Sequence, residues 1–114
     1  MKHALLGLAV VAAALGMVAC SRSVGSAALN AGVAAAQEDR WEEAVRYWKS
    51  VLEQDPGSAA AHNNLAVALE KQGAWDEAGR EYETALRLDP GNVEIKGNYE
   101  SFRLRLEAAR RKGP

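Results

Sequence analysis

Moving the 114-residue chain along itself by 34 positions aligns residues 25–58 with residues 59–92, and 12 of the 34 pairs are identical. A fixed period of that length constrains the fold more than any other feature, because it means one supersecondary unit used twice. The agreement is concentrated where packing would demand it. RWEEAVRYWKSVLEQDPG (40–57) lies over AWDEAGREYETALRLDPG (74–91), pairing Trp41 with Trp75, Ala44 with Ala78, Trp48 with Tyr82, Leu52 with Leu86 and Pro56 with Pro90.

Each unit reads as two helices. Leu65, Ala66 and Leu69 form an apolar stripe at helical spacing, Gly73 breaks it, and Trp75, Ala78, Tyr82, Ala85 and Leu86 form the next stripe. Asp89-Pro90-Gly91 then ends the second helix, since the residue before proline disfavours helix and glycine supplies turn freedom. In the first unit the opening helix is predicted over 27–37, nearly all alanine with Leu29 and Val33, and Asp39 followed by Glu42 predicts a capping-box-like start to its partner. Residues 93–112 begin like a third unit. Asn98 follows Asn64 by 34 residues, as Asn64 follows Asn30, and Ile95, Tyr99, Phe102 and Leu106 recur at helical spacing among charged residues. A capping helix that covers the last repeat is predicted there.

The period, the paired helices and these residues resemble the tetratricopeptide repeat family. Its pattern falls on Ala28, Ala31, Gly32, Ala35, Ala44, Trp48 and Pro56 in the first unit, and on His62, Leu65, Ala66, Leu69, Ala78, Tyr82, Ala85 and Pro90 in the second. The resemblance implies an all-α chain, a short right-handed solenoid of two repeats (25–58 and 59–92) plus the capping helix. It implies packing roles for Gly32, Ala44, Trp48, Pro56, Leu65, Ala66, Ala78, Tyr82, Ala85 and Pro90. It also implies a concave groove lined by the first helix of each repeat, with Leu29, Asn30, Val33, Asn63, Asn64, Val67, Glu70 and Asn98 facing a peptide or partner helix. Asparagine suits a groove because its amide donates and accepts, although the same amides could instead satisfy backbone groups between helices. Some family members clamp a C-terminal carboxylate with lysine, arginine and asparagine. The positions involved here hold Leu29, Val33, Asn64, Glu94 and Asn98, of which only Asn64 fits, so that clamp is not expected.

A helix pair cannot bury its apolar face alone, and two pairs with a cap lie near the lower size limit for stacked repeats. Modest stability, or self-association through the alanine-rich first helix, is therefore expected.

The N-terminus has a different character. Met1-Lys2-His3 precedes sixteen residues without a charge, Ala4 to Ala19, the layout of a signal peptide over 1–19. As a helix that run spans roughly 24 Å, short of a hydrocarbon core of about 30 Å, which disfavours a permanent transmembrane helix. Met17-Val18-Ala19-Cys20 resembles the lipobox of bacterial lipoproteins. The resemblance implies that Cys20 carries covalent lipid and becomes the mature N-terminus, followed by a short linker over 20–26. Ser21 after the cysteine implies an outer membrane location facing the periplasm rather than the inner membrane. One acyl chain anchors only marginally, whereas two or more make release slow. The alternative for Cys20 is a small hydrophobe within an ordinary signal peptide.

Composition removes other classes. A net charge of -1 and a pI near 6.1 give no electrostatic footprint for nucleic acid. One cysteine and two histidines exclude an internal disulfide framework and cysteine-based zinc sites, so no metal or cofactor is expected beyond the lipid. His62 stands at a packing position and reads as a packing residue rather than a base. Glu42-Glu43 and Asp76-Glu77 recur with the repeat at helix starts, where negative charge favours the helix dipole, and with Glu81 and Glu83 they read as structural or solvated. There is no P-loop, GxGxxG or HExxH motif, and catalysis is not expected. The tryptophans read as core, with an exposed binding role as the alternative. Residues 93–114 hold 6 Lys+Arg against 3 Asp+Glu. Arg103, Arg105, Arg110, Arg111 and Lys112 read as a solvated capping face, with contact to anionic lipid as the alternative.

The expected function is a non-enzymatic adaptor in the bacterial cell envelope, lipid-anchored, holding a protein or peptide partner near the membrane and assisting assembly of a pilus, secretion or cell-wall complex. The alternative is a membrane-anchored homo-oligomer whose groove is filled by a neighbouring copy.

Overall fold

The computed structural model describes residues 25–113, so the expectations for the signal peptide and Cys20 lie outside the described residues. The described chain is five helices: α1 (25–37), α2 (Trp41–Gln54), α3 (Ala59–Lys71), α4 (Trp75–Leu88) and α5 (Val93–Lys112). Short connections force each helix to fold back on the one before it, and α3 packs against α2, α4 and α5. The result is an all-α solenoid of two helix pairs closed by a single longer helix. Gly25 and Ser26, expected in a linker, are already helical and belong to α1.

The turns between repeats are built alike. After Asp55-Pro56-Gly57, the Ser58 hydroxyl accepts from the Ala61 amide at 3.2 Å, and after Asp89-Pro90-Gly91 the Asn92 side-chain Oδ1 accepts from the Ile95 amide at 3.1 Å. Each cap satisfies one of the donors a helix start leaves unpaired. Pro56 and Pro90 are exposed in these turns and break the chain rather than pack, which corrects the packing role expected for them.

The turns within repeats are also alike, and here the expected capping box fails. Arg40 N–H reaches Ala35 C=O at 2.9 Å and Asp39 N–H reaches Ala36 C=O at 3.0 Å; the corresponding bonds run from Ala74 to Leu69 at 2.8 Å and from Gly73 to Glu70 at 3.0 Å. These are the paired closing bonds of a Schellman-type helix end, which need a left-handed residue after the helix. Gly73 fills that place with φ 76°, and Asp39 fills it with φ 60°. Asp39 therefore terminates α1 instead of capping α2, whose N-cap residue Arg40 makes no side-chain cap bond.

The core runs between the layers. Ala35, Ala44, Trp48, Leu65, Ala66, Ala68, Leu69, Ala78, Tyr82 and Phe102 form one buried cluster, and Ala85 is likewise buried. Gly32 lies against the Trp48 indole so closely that a Cβ there would fall 2.7 Å from Cδ1 and Cε2 of the ring. The Trp48 Nε1–H donates to Leu29 C=O at 3.1 Å, which fixes α2 to the first turns of α1. At the other end Trp75, Tyr82, Tyr99 and Phe102 form a ring cluster with centroids 5.1 to 6.2 Å apart, within the range of favourable tilted and offset packing.

Candidate functional site

The first helices α1, α3 and α5 frame a hollow of about 280 Å³, with the start of α2 as its floor. Its lining is Val33, Ala36 and Gln37 from α1, Trp41 and Trp48 from α2, Asn63, Asn64 and Val67 from α3, and Glu94 and Asn98 from α5. Helical spacing explains the set: residues three and four apart share a face, so Val33, Ala36 and Gln37 look the same way, as do Asn63, Asn64 and Val67, and Glu94 and Asn98.

Of the residues expected to face a groove, Val33, Asn63, Asn64, Val67 and Asn98 line this hollow, whereas Leu29, Asn30 and Glu70 do not. Leu29 is half-buried against the core and offers its carbonyl to Trp48. Asn30 is exposed outside the lining. Glu70 is the clearest correction. Its carboxylate is buried, accepts from the Tyr82 hydroxyl at 3.1 Å and is ion-paired to Arg105, whose Nη2 lies at 3.2 Å. The 20-residue α5 is long enough to lay Arg105 over the end of α3, so the charge that would have faced a ligand is consumed inside the fold. Burial, and then the neighbouring Glu70 carboxylate, push the Tyr82 phenol well above its ordinary range. The hydrogen bond to Glu70 raises the Arg105 guanidinium further above its already high value.

The asparagines divide by burial. Asn98 Nδ2 donates to Asn63 Oδ1 at 3.2 Å and Asn63 Nδ2 donates to Asn64 Oδ1 at 3.3 Å. Asn63 is 4% exposed and engaged on both sides, so it is the joint between α3 and α5, while Asn64 and Asn98 are half-buried at the edge of the hollow. Trp41 and Trp48, expected as core, also present part of their rings to the lining, and Ala36 and Gln37 join a site that the repeat pattern alone did not mark. Glu94 holds one of the positions weighed for a carboxylate clamp and set aside there as unsuited to it, and it lines the hollow all the same.

His62 lies elsewhere. Its Nδ1 is 2.5 Å from Glu81 Oε2 and its Nε2 is 2.8 Å from the Pro56 carbonyl, so the ring pins the α2–α3 turn to α4 and both nitrogens are engaged. Among the described residues no three His, Cys, Asp or Glu side chains gather as a metal set, and no helix is long and apolar enough to cross a membrane. Two larger hollows, about 480 and 590 Å³, lie at the far end of the solenoid. One is bordered by α5 alone and has no opposing wall, both carry charges of either sign, and neither is framed by the three helices α1, α3 and α5.

Solved structures share this architecture. The C-terminal repeat domain of a Plasmodium falciparum FK506-binding protein is 26% identical, with a TM-score of 0.73 over 80% of this chain and 60% of that one. The Arabidopsis OM64 repeat domain is 19% identical, with a TM-score of 0.71 over 77% and 73%. The second repeat domain of human RPAP3, solved with the HSP70 peptide SGPTIEEVD, is 23% identical, with a TM-score of 0.65 over 69% and 66%. The chain thus spans about two thirds or less of two of these domains, and at such identities the last two establish the fold alone. No curated protein sequence matches the chain. The tetratricopeptide repeat family model matches residues 29–93, more than half of the sequence, in the same span as the two helix pairs described above. The chain belongs to the tetratricopeptide repeat family, whose domains are protein-interaction modules.

Proposed function

We propose that this protein is a non-enzymatic adaptor that holds a protein segment in the hollow between α1, α3 and α5 while lipid on Cys20 keeps it at a bacterial envelope membrane. The observation that carries the first half is the lining: two valines and two tryptophans beside paired amides, the mixture of apolar wall and few polar groups that suits a peptide. The RPAP3 domain offers a precedent for a peptide ligand. Its acidic, carboxylate-ended peptide is not a suitable guest here, because the only charge in this lining is Glu94.

The second half is supported by the Met17 to Cys20 pattern and the apolar run before it. Four residues, 21–24, separate Cys20 from the described start of α1 at Gly25, five steps with a reach of at most about 18 Å. The hollow would open near the lipid surface, which suits a partner in or at the membrane. The outer membrane facing the periplasm is the favoured location, and assembly of a pilus, secretion or cell-wall complex is the favoured process. Self-association is the second reading, favoured by Leu104, which stands 69% exposed on α5.

Photo-crosslinking from position 67 in the hollow and from position 53 on the opposite surface of α2, in the full-length protein inside its own cells, tests the adaptor role. A specific adduct from 67 and none from 53 is expected; the reverse pattern overturns the site, and an adduct to a second copy selects the homo-oligomer. A Cys20→Ala variant should leave the membrane fraction, and one that stays with it defeats the anchor.

A further inference from the structure

We infer that the segment bound in the hollow pairs a large apolar side chain with a positive charge. This rests on the interaction role proposed above and adds the chemistry of the partner.

Charge gives the first argument. Glu94 is exposed on the first turn of α5, is the only charged residue of the lining, and takes part in none of the ion pairs among the described residues. Lys71 lies against one lining ring, 5.9 Å from the Trp41 centroid, yet is not itself part of the lining. Unlike Glu70, answered by Arg105, and Glu107, answered by Arg111, this carboxylate stands over an apolar hollow with no ion-pair partner among the described residues. A cation brought there gains the attraction of the carboxylate beside apolar walls; an anion meets repulsion.

The amides give the second. In the relay from Asn98 through Asn63 to Asn64, the middle residue is used at both ends, which leaves Asn64 Nδ2 and Asn98 Oδ1 unengaged. One donor and one acceptor at the rim match the C=O and N–H of an extended backbone. Reversing the relay exchanges the two without changing the pair offered.

The walls give the third. Val33, 38% exposed, faces Val67 across Ala36 and the tryptophan edges, and about 280 Å³ admits one large apolar side chain with its backbone but no folded domain. Lysine, arginine and a free N-terminal amine satisfy the charge equally.

The test uses the full-length protein in detergent and fluorescein-labelled heptapeptides Gly-Ser-Leu-Xaa-Phe-Ser-Gly, acetylated at the N-terminus, with Lys, Gln or Glu at the central position. A fourth peptide carries Gln there and a free amine, which separates the two sources of charge. At low salt the Lys peptide should bind about tenfold more tightly than the Glu peptide, the sum of one attraction gained and one repulsion avoided at a half-open site, and the gap should narrow in 0.5 M salt. Glu94→Gln should remove most of the gap and Glu94→Lys should invert it; both change an exposed residue, and circular dichroism checks that α5 persists. Equal binding of the Lys and Glu peptides, or a preference untouched by Glu94→Gln, overturns the inference while leaving the adaptor reading intact. Binding of none of the peptides overturns it too, and crosslinking from position 67 then decides the adaptor role separately.

Discussion

The two repeats solve one packing problem with different parts. Where the first sets Trp48 against Gly32, the second sets Tyr82 at the position 34 residues on, with Ala66 in the glycine's place. The larger ring needs the smaller neighbour, so each pair is a matched set. Their polar ends differ accordingly. The Trp48 N–H turns to the Leu29 carbonyl, whereas the Tyr82 hydroxyl reaches Glu70, whose counterpart in the first repeat is Ala36. Between α3 and α5 two polar pairs, Asn63 with Asn98 and Glu70 with Arg105, share an offset of 35 residues and stand two helical turns apart. The equivalent positions between α1 and α3 are Leu29 with Asn64 and Ala36 with Lys71, which form no such ladder. The hollow thus has one wall locked by amides, an ion pair and stacked rings, and another, α1, held by small side chains around a single indole. Similar sequence at a fixed period does not imply similar strength at each interface.

The largest expected effect tests the matched pairs. Gly32→Ala should cost about 2–3 kcal/mol of unfolding free energy through overpacking. Adding Trp48→Tyr, which copies the second repeat into the first, should recover at least half of that in a urea titration; no recovery would show that the two pairs are not interchangeable. Next, Arg105→Met should cost about 1–2 kcal/mol, less than a fully buried pair because the Arg105 side chain is 54% exposed, and most of the loss should disappear when Glu70→Leu is added. Asp39 and Gly73 give a smaller, opposite pair of shifts: Asp39→Gly should stabilise by about 0.5 kcal/mol and Gly73→Ala destabilise by about 1 kcal/mol, since both positions are left-handed.

A further effect concerns pH. Burial first, then the Glu70 charge, hold the folded Tyr82 phenol above its unfolded value near 10. The unfolded chain therefore releases this proton at lower pH than the folded one, and the stabilisation is complete below about pH 10 and declines as pH rises beyond it. Tyr82→Phe should flatten the difference in stability between pH 9 and pH 11.

The period carried most of the fold. It located the helix pairs, the proline turns and the buried alanines, because identical spacing reports identical packing. It misled where one position serves two purposes. Asp39 resembled an N-cap because aspartate is common there, and only its alignment with Gly73 reveals a left-handed helix end. Glu70 shares a helical face with Asn63 and Val67, and the family resemblance placed it in the groove with them; its partner lies on a helix that overhangs α3, at an offset of 35 rather than 34, and a search at the repeat period passes over it. Glu94 entered only as an ill-fitting clamp position, because the sequence shows its charge but not that it borders the hollow without an ion-pair partner among the described residues.

The difference between the two walls is most directly tested by native-state hydrogen exchange resolved by residue on the full-length protein. The α1 amides should exchange through an opening of lower free energy than those of α3, α4 and the first half of α5. Uniform protection across all five helices, or release of α5 before α1, would contradict it.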